Sequence, residues 1–235
     1  MKRYTAIILF VTLSAWAADN EVYVDQAGNT ANIDIEQLGE SNIIGGLNSV
    51  AGTLTAFDLD GTGLTLDINQ IGNTNKFLGD ITGDSITGLF EFDGDTNSFT
   101  IQGDPTNTFG IDSSNYNVDV TGSTNTFTLN HGTAALASQL DLDWIIQGDG
   151  NTISYALDID GATSYLDIDG DSNNLTYDGD GAAGGYFYLD QTGNSRTFNI
   201  QQQSTLNNDW LKVITSSTGG TLCVIQNDGG TSTSC

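Results

Sequence analysis

The fold of this chain is decided by a pattern that is clearest in residues 64–77, LTLDINQIGNTNKF. In the first half, apolar residues occupy every second position from Leu64 to Ile68, as in a strand that buries one face. In the second half, Gly72 is followed three residues later by Asn75 and two residues after that by an apolar residue. The segment therefore predicts a strand, a tight turn and the start of a second strand.

The turn recurs along the chain as Gly-x-x-Asn-x-apolar. Its clearest copies begin at Gly39, Gly72, Gly94, Gly122 and Gly170. Together with weaker copies, they place sixteen turn positions at residues 28, 39, 52, 61, 72, 83, 94, 103, 112, 122, 132, 148, 161, 170, 181 and 193. The mean interval between these positions is 11 residues. A period of this kind predicts a repeat architecture in which each unit packs on its neighbours.

The residues before each turn identify the repeated unit as a strand. Two residues before most turn positions stands an apolar residue or Gln, and three residues before ten of the sixteen stands an acid. Opposite preferences at adjacent positions indicate a half-buried strand. A strand and a turn fill one interval, so two units form a coil of about 22 residues. We therefore predict an all-β fold, a parallel β-solenoid of about eight coils with two strands per coil, over residues 18–203.

Stacked coils bring equivalent side chains above one another. Amide side chains at one repeat position can then form a ladder of hydrogen bonds from coil to coil. The predicted ladder residues are Gln26, Gln37, Gln70, Gln191, Asn42, Asn75, Asn97, Asn125, Asn151 and Asn173.

Some of these segments resemble a known family. QAGNTANI at residues 26–33, QLGESN at 37–42 and QIGNTN at 70–75 are similar to the Gln-x-Gly-x-x-Asn repeats of curlin, the subunit of bacterial curli fibres. Gln191-x-Gly193 repeats the pattern with Arg196 in place of the Asn, and between these copies Ile, Leu, Phe or Asp replaces the Gln. The resemblance implies strand-turn-strand repeats, export through the outer membrane and polymerisation into extracellular amyloid-like fibres.

The composition excludes two classes of protein. The chain has 30 Asp and Glu against 5 Lys and Arg, a formal net charge of -25, so it cannot build the basic face that nucleic acid requires. Asp far outnumbers Glu, and Asp, Asn, Thr, Ser and Gly favour turns over helices, which excludes a helical bundle. The 10 Phe and 8 Tyr are spread through the chain, which indicates a packed core rather than a disordered acidic tail.

Residues 1–17 are predicted to be a secretory signal peptide. Lys2 and Arg3 precede the apolar stretch Thr5–Trp16, and Ala15-Trp16-Ala17 has the small-x-small pattern of a cleavage site. A membrane anchor is the alternative, but the apolar run is shorter than the ~20 residues that a span requires. We expect a secreted protein, extracellular or at the cell surface, with no membrane span.

Residues 204–235 are predicted to form a C-terminal cap, with a docking segment as the alternative. The period weakens after residue 203, and Trp210–Ile214 and Thr221–Ile225 have the pattern of two last strands. Cys223 and Cys235 are the two cysteines of the chain. In an exported protein this pair predicts a disulfide that ties the terminal segment.

Calcium is the candidate ion, and repeated surface carboxylates are its candidate ligands. When every second turn position is taken, six of eight coils have an acid three residues before it, which predicts one acidic strip. The strip consists of Glu36, Asp58, Asp80, Asp119, Asp167 and Asp190. The segment from Asp167 to Asp171 begins like an EF-hand loop but lacks its glycine and its closing glutamate. A solvated acidic face without bound metal is the alternative.

Catalysis has little support in the sequence. His131 is the only histidine and lies in a predicted turn, and the few basic residues are scattered. Since catalysis by paired carboxylates needs a group that stabilises developing charge, we predict no catalytic site. A polysaccharide-active enzyme is the least favoured alternative.

The predicted function is that of a secreted structural protein, a self-assembling subunit of an extracellular fibre or matrix, or a surface adhesin. Its predicted partner is another copy of itself, and surface polysaccharide and the export machinery are further candidates. The alternative is a monomeric binding module, a virion or cell-surface appendage whose flat repetitive face binds carbohydrate, mineral or ice.

Overall fold

The computed structural model describes residues 20–47, 54–55, 57–103, 111–131, 137–181, 184–204 and 209–228. Within these ranges the regular structure is entirely β-strand. The strands are β1 (Asn20–Val22), β2 (Asp25–Ala27), β3 (Asn32–Leu38), β4 (Ser41–Ile44), β5 (Gly46–Leu47), β6 (Leu54–Thr55), β7 (Phe57–Asp60), β8 (Thr65–Ile71), β9 (Thr74–Thr82), β10 (Thr87–Asp93), β11 (Thr96–Gly103), β12 (Ile111–Asp112), β13 (Asn115–Thr121), β14 (Thr126–His131), β15 (Ala137–Ser138), β16 (Asp141–Gln147), β17 (Thr152–Asp160), β18 (Thr163–Asp169), β19 (Asn174–Gly181), β20 (Tyr186–Thr192), β21 (Arg196–Ser204), β22 (Trp210–Ser216) and β23 (Gly220–Asp228).

Two parallel sheets enclose the core. The large sheet has 13 strands along the path β1-β4-β9-β11-β14-β17-β19-β21-β23, with β2-β7 joined at β9 and β12-β15 joined at β17. The small sheet has eight strands in the order β3-β8-β10-β13-β16-β18-β20-β22. The separate pair β5-β6 is antiparallel. Because the chain passes from one sheet to the other and back, each coil adds a layer to both sheets.

This arrangement confirms the predicted parallel β-solenoid. It has about seven turns of about 24 residues, close to the predicted eight coils of about 22. The two counts are consistent, because the eight strands of the small sheet are connected by seven turns of the solenoid. Among the described residues, no helix has the length and apolar character needed to cross a bilayer.

The coils are not equal in length. Asn42 pairs with Asn75, a step of 33 residues, whereas Asn75 pairs with Asn97 after 22. Ser98 pairs with Thr126, a step of 28 residues. Each of the two long steps contains one more predicted turn position than a two-strand coil needs. Counting every second turn along the sequence therefore changes sheet at each of them.

Apolar side chains from both sheets alternate inward and fill the space between them. Phe77, Phe99 and Phe127 stand in one inward row of the large sheet and are fully buried. Phe99 contacts Trp144 of the small sheet with ring centroids 5.4 Å apart. Each such side chain contributes about 1.5–3 kcal/mol by burial, so the stack of coils is what stabilises a unit that has no core of its own.

The corner glycines are required for close stacking of coils. Gly94 and Gly122 lie at the same corner one coil apart. The Gly94 amide donates to the carbonyl of Thr121 at 3.0 Å, and the Gly122 amide donates to that of Gln147 at 2.9 Å. A Cβ on Gly122 would overlap the carbonyl oxygen of Gly94, and one on Gly94 would overlap that of Gly72. Gly122 also has a positive φ of 147°, whereas the φ of Gly94 is not positive. Stacking, more than backbone conformation, therefore explains the repeated glycine.

The described part of the C-terminal segment continues the solenoid. β22 pairs in parallel with β20, and β23 pairs in parallel with β21. The two last strands predicted for this segment are thus present, and they extend the two sheets. Residues 229–235 lie outside the described part of the chain.

Candidate functional site: the ladders, faces and ends of the solenoid

One continuous asparagine ladder runs inside the large sheet. The structure places all six predicted asparagines in it, and Asn20, which the sequence did not single out, heads it. The amide of Asn42 donates to Asn75 at 2.9 Å and that of Asn75 to Asn97 at 2.8 Å. The remaining rungs join Asn97 to Asn125, Asn125 to Asn151 and Asn151 to Asn173.

The same amides explain the spacing of the repeat. Asn97 donates to the carbonyl of Gly94 at 3.0 Å, and Asn125 donates to that of Gly122 at 2.7 Å. The six predicted asparagines are 0–1% exposed, so their amides depend on these bonds. The Gly-x-x-Asn motif therefore contains both the corner glycine and the asparagine that donates a hydrogen bond to its carbonyl. The asparagine ladder thus stabilises the fold.

The predicted glutamines do not form a second ladder. Gln70 donates to Gln37 at 2.7 Å in the small sheet. Gln26 lies in the large sheet opposite Leu59, and Gln191 is buried and donates to the carbonyl of Gly193. The reason is that Ile, Phe and Val occupy the equivalent positions in the coils between Gln70 and Gln191.

A second glutamine pair was missed in the sequence. Gln226 of β23 donates to Gln202 of β21 at 3.2 Å, in the large sheet near the C-terminal end. The signal was present as the run Gln201–Gln203, but this run lies at the boundary where the 11-residue period weakens.

The predicted single acidic strip is wrong, because its members lie on both sheets. Glu36, Asp119, Asp167 and Asp190 share one outer row of the small sheet, and Asp58 and Asp80 are stacked with Asp25 on the large sheet. The cause is the pair of long steps described above, which shift the count of turns by one sheet. The outer row of the small sheet that contains Glu36, here called the acidic row, is Glu36, Asn69, Glu91, Asp119, Ile145, Asp167, Asp190 and Ile214.

Carboxylates in these rows are perturbed by their surroundings. Partial burial, and then the neighbouring Asp190 and Asp169, raises the pKa of Asp167. Partial burial, and then Asp58, raises the pKa of Asp80. In the part of the chain that the structure describes, no group of three or more His, Cys, Asp or Glu side chains is arranged to hold a metal ion. Calcium binding therefore stays a prediction, with no set of coordinating side chains defined among the described residues.

His131 is a core residue. It is the last residue of β14 rather than part of a turn, it is 1% exposed, and its ring packs edge-on against Tyr116 at 5.7 Å. Burial lowers its pKa to about 4. A neutral imidazole sealed inside the solenoid has no access to a substrate, so it offers no acid-base chemistry.

The two outer faces differ in chemistry. The small sheet carries the acidic row and, near its C-terminal end, the stacked pairs Tyr165–Tyr188 and Tyr186–Trp210 with ring centroids 4.8 and 4.2 Å apart. From β11 to β21, the two central outer rows of the large sheet, here called the hydroxyl face, have no charged residue, although Lys76 of β9 precedes Ser98 in one of them. The hydroxyl face consists of Ser98, Thr100, Thr126, Thr128, Thr152, Ser154, Asn174, Thr176, Thr197 and Asn199.

Both ends of the solenoid leave core side chains uncovered by the described residues. At the C-terminal end, Leu222 and Val224 of β23 are each 40% exposed although they continue inward rows. At the N-terminal end, Ile33 and Ile35 of β3 are half-buried, whereas their neighbours in β8 are 0–1% exposed. β3 and β22 are the edge strands of the small sheet.

The remaining predicted features are placed as follows. Cys223 lies on β23, and Cys235 lies outside the described residues, so the disulfide stays a prediction. The predicted signal peptide, residues 1–17, also lies outside them. No protein-family model, curated protein or solved structure matches the chain.

Proposed function

We propose that the protein is a secreted structural subunit that assembles end to end with other copies of itself into an extracellular fibre or matrix. The observation that carries the proposal lies at the two ends of the described stack: edge strands of both sheets, and core side chains that the described residues leave uncovered. An edge strand with an apolar inward face is a template for another strand layer. A second copy supplies that layer at each end.

Three further features support this proposal. The asparagine ladder and the corner glycines keep successive coils in fixed register, so an added subunit meets a rigid template. The net charge of -25 keeps the subunits apart laterally while leaving the ends to associate. The resemblance of residues 26–42 and 70–75 to curlin repeats points the same way.

Cys223 and Cys235 enter the proposal as a disulfide that ties the last residues of the chain to β23. A bridge that closes a loop of about a dozen residues contributes roughly 3 kcal/mol in the chain-entropy model. Mass spectrometry of the unreduced mature protein tests this pairing. Two free thiols, or a disulfide-linked dimer, would exclude it.

The test of the proposed function is the behaviour of the mature chain, residues 18–235, at increasing concentration. Light scattering and negative-stain electron microscopy are expected to show unbranched filaments above a critical concentration. Salt is expected to lower that concentration, because it screens the repulsion between acidic subunits. A monodisperse monomer at high protein and high salt concentration would exclude self-assembly.

A second candidate function is favoured by the hydroxyl face. Its side chains stand about 4.8 Å apart between strands and about 6.7 Å apart along them, and Thr has a stiff χ1, so the hydroxyl groups form a regular flat array. Within the described chain, no hydrogen bond involves the side chains of Thr126, Thr152 or Thr176. An uncharged array of this kind suits a flat, ordered and neutral ligand such as ice.

Ice binding has its own test. Thr152→Tyr and Thr176→Tyr interrupt the hydroxyl face, and Thr163→Tyr is the matched control on the small sheet. If the protein binds ice, it slows ice recrystallisation, and the first two changes abolish the effect while the control retains it. Absence of any effect in the native protein would remove this candidate and leave the structural function untouched.

A further inference from the structure

Both ends of the described stack are stepped, because the large sheet is one strand taller than the small sheet. Nine strands lie along the path of the large sheet and eight form the small sheet, so a strand of the large sheet is outermost at each end. End-to-end assembly, on which this inference rests, has to join the two steps. A copy added by translation alone would set β1 on β23 and leave the width of one strand empty between β22 and β3.

A half-turn of the next copy about the long axis of the solenoid removes this gap. The rotated copy places its β1 and β2 on β22, and its β3 on β23. Because the strands of the two sheets run in opposite directions around each coil, the rotated strands stay parallel to the strands that they cover. The rotated copy thus occupies the position of the next half-coil, and both sheets continue at one strand spacing.

The two halves of each coil are similar enough for one to replace the other. In the small sheet, the first inward apolar residue of a strand stands five residues after the corner, as Ile33 does after Gly28. In the large sheet, Phe99 stands five residues after Gly94 in the same way. The 11-residue period of the sequence expresses this equivalence. A strand of the large sheet can therefore continue the small sheet without a change of pattern.

The corners determine the register of the junction. Ser217 directly follows β22, as Gly28 directly follows β2. When these two corners coincide, inward apolar residues of the next copy cover inward apolar residues of the first in both sheets. The pairs are Ile33 on Leu222, Ile35 on Val224, Val22 on Leu211 and Val24 on Val213. A shift by one residue would turn these side chains to solvent, so it is disfavoured.

The glutamines support the half-turn independently. The pair of Gln37 and Gln70 lies in the small sheet near one end, and the pair of Gln202 and Gln226 lies in the large sheet near the other. In each pair, the glutamine of the later coil donates to the glutamine of the earlier coil. The register places Gln37 of the next copy on Gln226. The two pairs then form one column of four with a single direction of donation, whereas translation would leave them in different sheets.

The outer side of the junction adds a contact between a cation and an aromatic ring. Lys212 lies over the ring of Tyr188, with its Nζ 4.9 Å from the ring centroid. The register places Tyr23 of the next copy on the other side of Lys212, and Tyr23 is 49% exposed in the described chain. A cation between two aromatic rings is favourable.

We infer that the subunits join head to tail with a half-turn about the long axis at each junction. The large sheet of one copy then continues as the small sheet of the next, in the register given by Gln37 on Gln226. Because the two joined surfaces differ, the contact repeats and produces an open filament rather than a closed dimer.

The test introduces an opposite-charge pair that only this register forms. Ile214, an exposed residue at the end of the acidic row, is aligned with Asp25 of the next copy. Ile214→Lys is therefore expected to lower the critical concentration for filaments about twofold to fivefold, the range for one opposite-charge pair between adjacent strands. Ile145→Lys is the matched control, since it makes the same change in the same row on β16, away from both ends.

Two double variants with equal net charge distinguish the half-turn from translation. Ile214→Lys with Asp25→Asn is expected to lose the gain, and Ile214→Lys with Glu36→Gln is expected to keep it, because the half-turn aligns residue 36 with Ile225 in the other sheet. Each double variant is compared with the corresponding acid substitution alone. Loss of the gain with Glu36→Gln, or no difference between Ile214→Lys and Ile145→Lys, would overturn the half-turn and leave the proposed function standing. A native protein that makes no filaments would remove both.

Discussion

The side chain of Asn97 links three parts of the molecule at once. It accepts from Asn75, donates to Asn125 and donates to the corner carbonyl of Gly94, with 1% of its surface exposed. Removal of one partner in such a network leaves buried groups unsatisfied, which costs more than the net value of each bond. Loss of one asparagine is therefore expected to destabilise the fold by more than the value of its own hydrogen bonds.

Asn97→Ala is therefore expected to destabilise the fold by about 2–4 kcal/mol, since it leaves at least two buried polar groups without a partner. The matched control is Asn174→Ala on the outer face of β19, where the side chain is exposed and the expected change is within about 0.5 kcal/mol. Urea unfolding followed by circular dichroism measures both. Equal effects of the two substitutions would show that the buried ladder has no special role.

At the scale of the element, each corner consists of a strand end, a glycine, and an asparagine three residues later whose side chain donates to the glycine carbonyl. Gly122 combines a positive φ of 147° with close approach to Gly94, whereas Gly161 has φ 71° and open space around it. The two glycines separate the steric requirement from the backbone one. Of these two glycines, only Gly122 would bring an added methyl group into contact with another coil.

Gly161→Ala is expected to cost about 1 kcal/mol, from the left-handed conformation alone. Gly122→Ala is expected to cost about 3 kcal/mol or more, because the methyl group also forces neighbouring coils apart. Thermal unfolding of the two variants tests the comparison. A cost at Gly161 equal to or larger than that at Gly122 would contradict the role of glycine in stacking.

Stacked acids make the stability of the elements depend on pH. The pKa of Asp80 is raised, first by partial burial and then by Asp58, so its protonated form is favoured by folding. The associated stability is present below the ordinary value of 3.8 and is lost as pH rises through the raised pKa. The stacked row is therefore least stable when its carboxylates are ionised.

Asp80→Asn is expected to be more stable than the native protein at pH 7, with a difference that narrows as pH falls toward 4. His131, whose pKa is lowered to about 4, titrates in both proteins, so its effect cancels in the comparison. Asp93→Asn, at an exposed position of β10, is the control for loss of one charge. A difference that does not change with pH would exclude the stacked acids as its source.

The sequence was informative where the same residue type marks the same corner in successive coils. Gly-x-x-Asn identified the asparagine ladder correctly because the motif contains both partners of the clamp. The acidic strip failed because acids occur before turns in both sheets, and nothing local distinguishes them. Only the register across the long steps, such as Asn42 with Asn75, shows which sheet a strand joins. Length variation between corners is therefore the information that the repeat pattern alone lacks.

At the scale of the whole molecule, charge is divided between two faces. In the acidic row, Glu91 lies beside Asp119 and Asp167 beside Asp190, one strand spacing apart. Two like charges at about 5 Å repel by ~0.8 kcal/mol in water and by roughly 3 kcal/mol at an effective dielectric of 20. The hydroxyl face has no such repulsion, although other positions of the large sheet also stack acids, such as Asp58 on Asp80 and Asp158 on Asp180.

Salt is therefore expected to raise the melting temperature of the mature chain, and calcium at millimolar concentration to do so at lower ionic strength. Asp167→Asn with Asp190→Asn is expected to raise stability at low salt and to weaken both effects. Asp93→Asn with Asp141→Asn, two exposed positions outside the acidic row with uncharged neighbours on the adjacent strands, is the control for loss of two charges. Melting curves that coincide in chelator, calcium and high sodium chloride would show that these carboxylates matter for solubility alone.

The central claim is that coils stack within the subunit and that subunits continue the same stack. Electron cryo-microscopy of filaments of the mature chain tests it most directly, because it resolves both spacings in one measurement. We predict a continuous 4.8 Å layer line and an axial subunit repeat of about 43 Å, from the nine strands stacked along the path of the large sheet. Filaments without the 4.8 Å spacing along their axis, or only isolated monomers at high protein and salt concentration, would contradict the account.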